Sequence, residues 1–145
     1  MAGRLAVGRV ETMAPEIRRL YFHVIADAAT DYLEWPDGTA IVSTHKGDPG
    51  AVGLNEGIKY IARTGAGAYT VYLQDNYYAV AAMGVFTGDE STTDDKSVGF
   101  TMTSAYNSVQ SGSLGFVLYD DAGNAQEVTD GNHIFGWMDL YNKKP

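Results

Sequence analysis

The sequence predicts an all-β fold: an antiparallel β-sandwich, jelly-roll-like in its strand count, with an N-terminal arm or irregular segment. Three observations predict it. Segments rich in aromatic and β-branched residues recur along the chain at spacings of roughly 10 to 15 residues. The 17 glycines largely punctuate those segments, as turn residues do. Long stretches with an apolar stripe at i, i+3, i+4 and i+7 are missing. At 145 residues the chain is one domain. It is long enough to bury about two-thirds of its unfolded surface and needs no covalent staple.

The elements follow in order. Arg4 to Thr12 reads as a first strand, with Leu5 and Val7 on one face. Ala14 to Ala29 is the best helical window, and Pro15 could open it. Yet Leu20, Phe22, Val24 and Ala26 alternate with Arg19, Tyr21, His23 and Ile25, so strand is preferred over Ile17 to Ile25. Thr39 to Thr44 is short. Ile58 to Arg63 runs into a turn at Gly65–Gly67. Ala68 to Gln74 sets Tyr69, Val71 and Leu73 against Thr70, Tyr72 and Gln74. Tyr78 to Thr87 is apolar on both faces. Val98 to Val109 places Phe100, Met102 and Tyr106 together. Leu114 to Tyr119 and His133 to Tyr141 complete the set. Turns are expected at Trp35–Gly38, Gly47–Gly50, Asp120–Asn124 and Asp130–Gly131. The chain divides into N-terminal strands with an extended irregular segment, 1–57, and a β-sandwich core, 58–145, in a single folded unit.

Composition narrows the function. The chain has no cysteine, which excludes disulfides, thiolate metal sites and cysteine nucleophiles. Lys plus Arg is 10 against 18 for Asp plus Glu, a net charge of −8. Sequence-independent nucleic-acid binding rests on phosphate neutralisation, so no nucleic-acid partner is expected. Hydrophobic residues make up 45%, too many for a disordered chain. The longest apolar run, Tyr77 to Phe86, is too short to cross a bilayer as a helix. Met1–Leu5 shows no signal-peptide apolar region, and synthesis in a cytosol is expected.

Searches for chemistry find little. His23, His45 and His133 share no HxH or HExxH spacing, so no metal site is expected from them. Asp89, Glu90, Asp94 and Asp95 cluster without EF-hand spacing and read as a solvated loop. Gly65–Thr70 is half of a glycine-rich phosphate loop, but the lysine and following helix are missing. There is no GxSxG elbow. No cofactor and no catalysis are expected. Aromatics remain as the positive signal. His133, Phe135, Trp137 and Tyr141 share one face of the last strand, and Ile134, Met138 and Leu140 the other. That strand lies either between two covered layers or at a subunit interface, where Tyr, Trp, Phe and Met concentrate.

Ile61–Gly65 followed by Gly67–Asp75, the turn-rich stretch Leu118–Gly131, and the polar-ended strand His133–Lys144 resemble the small head-decoration, or cement, proteins of tailed bacteriophages. The resemblance covers residues 58 to 145 and is carried by strand and turn residues. It implies a β-sandwich that binds the outside of the phage head and clamps neighbouring major capsid subunits. The implied partners are the major capsid protein and the chain itself, as a homo-oligomer (trimer or dimer), without nucleic acid, membrane or cofactor. The implied location is the outer surface of the virion head, after synthesis in the host cytoplasm. Expected contact residues are Arg4, Arg9, Arg18 and Arg19, which are four of the ten basic residues. To these are added Trp35 in the irregular stretch and Phe135, Trp137 and Tyr141 on the last strand. The alternative is a tail- or neck-associated virion protein with a carbohydrate-binding sandwich, in which Trp35, Tyr77 and Tyr78 stack on sugars beside Asp75 and Asn76.

Overall fold

In the computed structural model of the chain, residues 16–27, 32–41, 56–88 and 99–144 are described. The expected strand Arg4 to Thr12, the turn at Gly47–Gly50 and the acidic cluster Asp89–Asp95 lie outside these residues.

Nine strands form. They are β1 (Ile17–Asp27), β2 (Tyr32–Glu34), β3 (Ala40–Ile41), β4 (Ile58–Gly65), β5 (Ala68–Leu73), β6 (Ala79–Gly88), β7 (Gly99–Met102), β8 (Ser113–Tyr119) and β9 (His133–Tyr141). One sheet has the order β3-β2-β1-β9-β6 and the other β4-β5-β8-β7. Every strand pairing is antiparallel. The two sheets pack as a β-sandwich.

Period-two alternation decides which side chains fill the space between the sheets. On β1 the buried set is Leu20, Phe22, Val24 and Ala26; on β5 it is Tyr69, Val71 and Leu73; on β9 it is Ile134, Met138 and Leu140. Phe116 of β8 lies at the centre, 5.8 Å from the Phe22 ring and 5.5 Å from the Tyr69 ring. Each such side chain removed from water contributes about 1.5–3 kcal/mol before entropy is counted. Gly136 makes room for Phe22: a Cβ there would overlap the phenyl ring.

Two hairpin ends behave as their residues predict. The Asp37 carboxylate accepts from the Thr39 N–H at 2.9 Å, and Gly38 takes φ +89°. The Asp120 carboxylate accepts from the Ala122 and Asn124 N–H groups, closing the Asp120–Asn124 turn. Elsewhere the structure departs from expectation. β2 arises from a segment read as irregular. The expected strand Val98 to Val109 ends at Met102 within the described residues; pairing with β8 ceases after one further in-register backbone bond, from the Thr103 N–H to Gly115. The chain then turns through a 3-10 segment, Ser108–Ser111. Tyr106 therefore sits exposed instead of beside Phe100 and Met102, which pack on the core.

The sheets do not respect a division at residue 57. β1 and β9 pair along nine positions, from Ile17–Tyr141 to Ile25–His133. Strands from both sides of residue 57 thus build one sheet.

Candidate functional site

The outward rows of the five-stranded sheet can be read from its register. Arg19 faces Asp139, which faces Ala82. Next come Tyr21, Trp137 and Gly84, then His23, Phe135 and Phe86, then Ile25, His133 and Gly88. β9 supplies the middle residue of every row, and the face is flat enough for its rings to meet. Phe86 and Phe135 stack at 5.1 Å, and Phe135 and His23 at 4.3 Å.

Glycines on β6 shape this surface. A Cβ at Gly84 would run into the Trp137 indole, and one at Gly88 would come within 2.9 Å of the Phe135 ring. Both rings therefore lie down over bare backbone of the neighbouring strand. Tyr21, Phe22, His23, Phe86, Phe135 and Trp137 together line a shallow groove of about 300 Å³.

Apolar exposure concentrates here. The exposed large hydrophobics among the described residues are Ile17, Tyr21, Phe86 and Tyr106, at 48%, 63%, 55% and 60%. All but Tyr106 stand on this face.

Charge on the face is internally matched. Arg19 donates to both Asp139 oxygens, at 2.6 and 2.8 Å. Its guanidinium also lies 4.7 Å from the Trp137 ring centroid, a cation–π distance. Hydrogen bonding to Asp139 holds the guanidinium above its ordinary range and the carboxyl below its own. Farther along, the His23 Nε2 and His133 Nδ1 atoms approach to 2.7 Å. Partial burial, and then the neighbouring imidazole, push His23 below the ordinary histidine range.

The outer face of the four-stranded sheet is different in kind. Its rows carry Tyr60, Tyr72 and Ser113, then Ala62, Thr70 and Gly115. Tyr60 and Tyr72 pack at 5.5 Å and a tilt of 41°. A Cβ at Gly115 would meet the hydroxyls of Thr103, Ser104 and Thr70.

The expected contact residues separate accordingly. Phe135, Trp137 and Tyr141 share the outer face of β9, opposite the buried row Ile134, Met138 and Leu140. Arg19 joins them, but paired. Arg18 lies apart, 3.5 Å from Asp75 and 3.8 Å from Glu56. Arg4 and Arg9 lie outside the described residues. Trp35 is corrected from surface to core: it is 2% exposed. Its turn is outside, but the indole folds back under β2 and β3 into the apolar cluster. Tyr77 is likewise buried, which takes two of the three expected sugar-stacking rings out of reach.

Sequence reasoning missed Tyr21, Phe86 and the meeting of His23 with His133. The pair is 110 residues apart, so no local spacing announces it. Among the described residues no group of three or more His, Asp or Glu side chains is placed to hold a metal, and no helix is long and apolar enough to cross a membrane. Compared with family models, curated proteins and solved structures, the chain finds no match.

Proposed function

We propose that this chain is a non-catalytic assembly protein that works by covering the outer face of its five-stranded sheet with a partner. In this reading the partner is the major capsid protein of a tailed-phage head, and the chain is a decoration protein on the outer head surface.

One observation carries the proposal: the contiguous apolar face of Ile17, Tyr21, Phe86, Phe135 and Trp137 on a chain with net charge −8. Exposed apolar patches on soluble domains mark contact surfaces. Aromatic residues and Arg are enriched at such contacts, and unpaired charge is depleted. Here the one guanidinium among the rings is matched by Asp139. Trp137 is held between Arg19 and Gly84, so little rotamer freedom remains to be lost on binding. The likeness of residues 58–145 to head-decoration proteins supports the choice of partner. A dimer or trimer of the chain would grip several capsid subunits at once, multiplying a modest single contact.

The test is quantitative mass spectrometry of gradient-purified virions from the source of the gene. A fixed, near-stoichiometric ratio to the major capsid protein is expected, and Trp137→Ser should lower incorporation. A few copies per particle would move the chain to the tail or neck. Absence from particles would overturn the capsid reading.

A further inference from the structure

We infer that His23 and His133 form a two-imidazole site for a borderline divalent cation, of the Zn²⁺, Ni²⁺ or Cu²⁺ class. The inference is independent of what the aromatic face binds.

The geometry begins with the ladder. His23 sits opposite Phe135, and His133 sits opposite Ile25, so the two histidines are diagonal neighbours on β1 and β9. Both strands are interior to the sheet: β1 lies between β2 and β9, and β9 between β1 and β6. At His133 the β9 backbone is paired on both sides, and at His23 the β1 backbone is paired with β9. Phe135 lies against both rings. It stacks on His23 at 4.3 Å and 22°, and on His133 at 5.8 Å and 10°. The result is two imidazoles whose nitrogens point at each other, Nε2 of His23 toward Nδ1 of His133, at 2.7 Å.

At that distance the two nitrogens share a single proton: one carries it and the other accepts it. A divalent cation can replace that proton. Metal–imidazole bonds of about 2.0–2.1 Å ask the nitrogens to separate by only a few tenths of an ångström for a bite near 90°. Imidazole is the ligand these cations favour among protein side chains of intermediate softness. The two rings would turn so that both lone pairs converge on the cation, while the β1–β9 register keeps the imidazoles adjacent.

The surroundings are compatible. Facing the pair are Phe135 and Phe86 in the adjoining row, with Glu34 opposite Ile25 on β2. Tyr21 follows on β1, and the Arg19–Asp139 pair is one row beyond it. The facing β6 residues, Ala82, Gly84, Phe86 and Gly88, bring no charge. The guanidinium is matched by its carboxylate, so it does not repel a cation at the histidines.

The experiment uses the full chain. Titration calorimetry with Ni²⁺ at pH 7.5 is expected to show saturable one-to-one binding. His23→Ala and His133→Ala should each weaken it by at least about tenfold. His45→Ala should leave it unchanged. Lowering the pH to 5.5 should also weaken it, since protons compete for the same nitrogens. Zn²⁺ added to ¹⁵N-histidine-labelled wild-type protein should shift His23 Nε2 and His133 Nδ1 together; this readout decides the matter if an alanine variant loses its near-UV circular dichroism. Absence of saturable binding in the wild type, binding unaffected by the double variant, or shifts confined to His45 would each overturn the inference.

Discussion

On the five-stranded sheet the outward rows carry Tyr21, His23, Phe86, Phe135 and Trp137, whereas on the four-stranded sheet they carry Tyr60, Tyr72, Thr70, Ser113 and Thr101. Both faces come from the same period-two alternation, and both use glycine to let a neighbour approach. What approaches differs. Gly84 and Gly88 admit rings, while Gly115 admits hydroxyls. A hydroxyl-rich face satisfies itself with water. A face of rings leaves apolar surface that only another surface can cover. The difference separates a face that water satisfies from a face whose rings leave apolar surface to be covered.

The largest effect should come from breaking the scaffold that holds the first face. Gly136→Ala drives a methyl into the Phe22 ring on the core side of β9 and should cost about 3 kcal/mol. Gly99→Ala, on β7 of the other sheet, meets nothing within 4 Å and should stay within about 0.5 kcal/mol. Urea midpoints of the two variants measure the contrast.

Binding sharpens it next. Trp137→Ser or Phe86→Ser should weaken adsorption to purified heads by about 2 kcal/mol, the scale of an aromatic hot spot. Tyr60→Ser and Thr101→Ala should leave adsorption within roughly twofold, as residues outside an interface do. Equal losses on both faces would erase the distinction between them.

A smaller effect is expected from the bidentate pair on the four-stranded sheet. Arg63 donates to both Glu127 oxygens at 2.9 and 2.7 Å, and the Gly67 N–H also reaches Glu127 at 3.2 Å. Arg63→Gln should destabilise by about 1 kcal/mol and less in high salt. Glu127→Ala should cost more than Glu127→Gln, because only the alanine also removes the acceptor of the Gly67 N–H.

The smallest effects lie in pH, and the two faces should respond at opposite ends. Asp139 is held low by Arg19, so its contribution is present above the unfolded carboxylate range, about 3.9, and is lost as pH falls through its depressed folded value. His23 is also held low. Its contribution is present above about 6.5 and disappears as pH falls through its own lowered value. Tyr60 is pushed up by burial and then by Tyr72. Its contribution is present below about 10 and is lost as pH rises through the raised value. Thermal melts across pH should show Asp139→Asn and His23→Gln flattening the acid limb, and Tyr60→Phe the alkaline one.

Much of this architecture was legible along the chain. Alternation at Leu20–Ala26 and Tyr69–Leu73 set apart the rows that the structure buries, because burial on one face of a strand leaves a two-residue signature, whereas at His133–Tyr141 both rows were apolar and the core side stayed open. Asp, Pro and Gly at Trp35–Gly38 and Asp120–Asn124 named turns through their own dihedrals and side-chain bonds. Three things escaped. Trp35 lies beside a surface turn, and nothing local says that its ring folds inward. β2 is a three-residue strand within a polar stretch, too short to show a period. The candidate site is assembled from β1, β6 and β9, so which rings become neighbours depends on register across the sheet. The expectation of a basic N-terminal contact also counted charges without their partners: Arg18 and Arg19 are matched by acids from Glu56, Asp75 and Asp139.

The place of β9 has a kinetic consequence. It is the last described strand along the chain, yet it lies between β1 and β6, and its residues pair with β1 across 108 to 124 positions. A nascent chain therefore cannot close this sheet while β9 is still inside the ribosome. Until then β1 and β6 wait with their inner edges unpaired. Such distant pairing raises contact order and slows folding, and an uncharged strand such as β6 is then open to non-native pairing. Yield at different synthesis temperatures is thus expected to follow how quickly β9 finds its slot more closely than how stable the finished sandwich is.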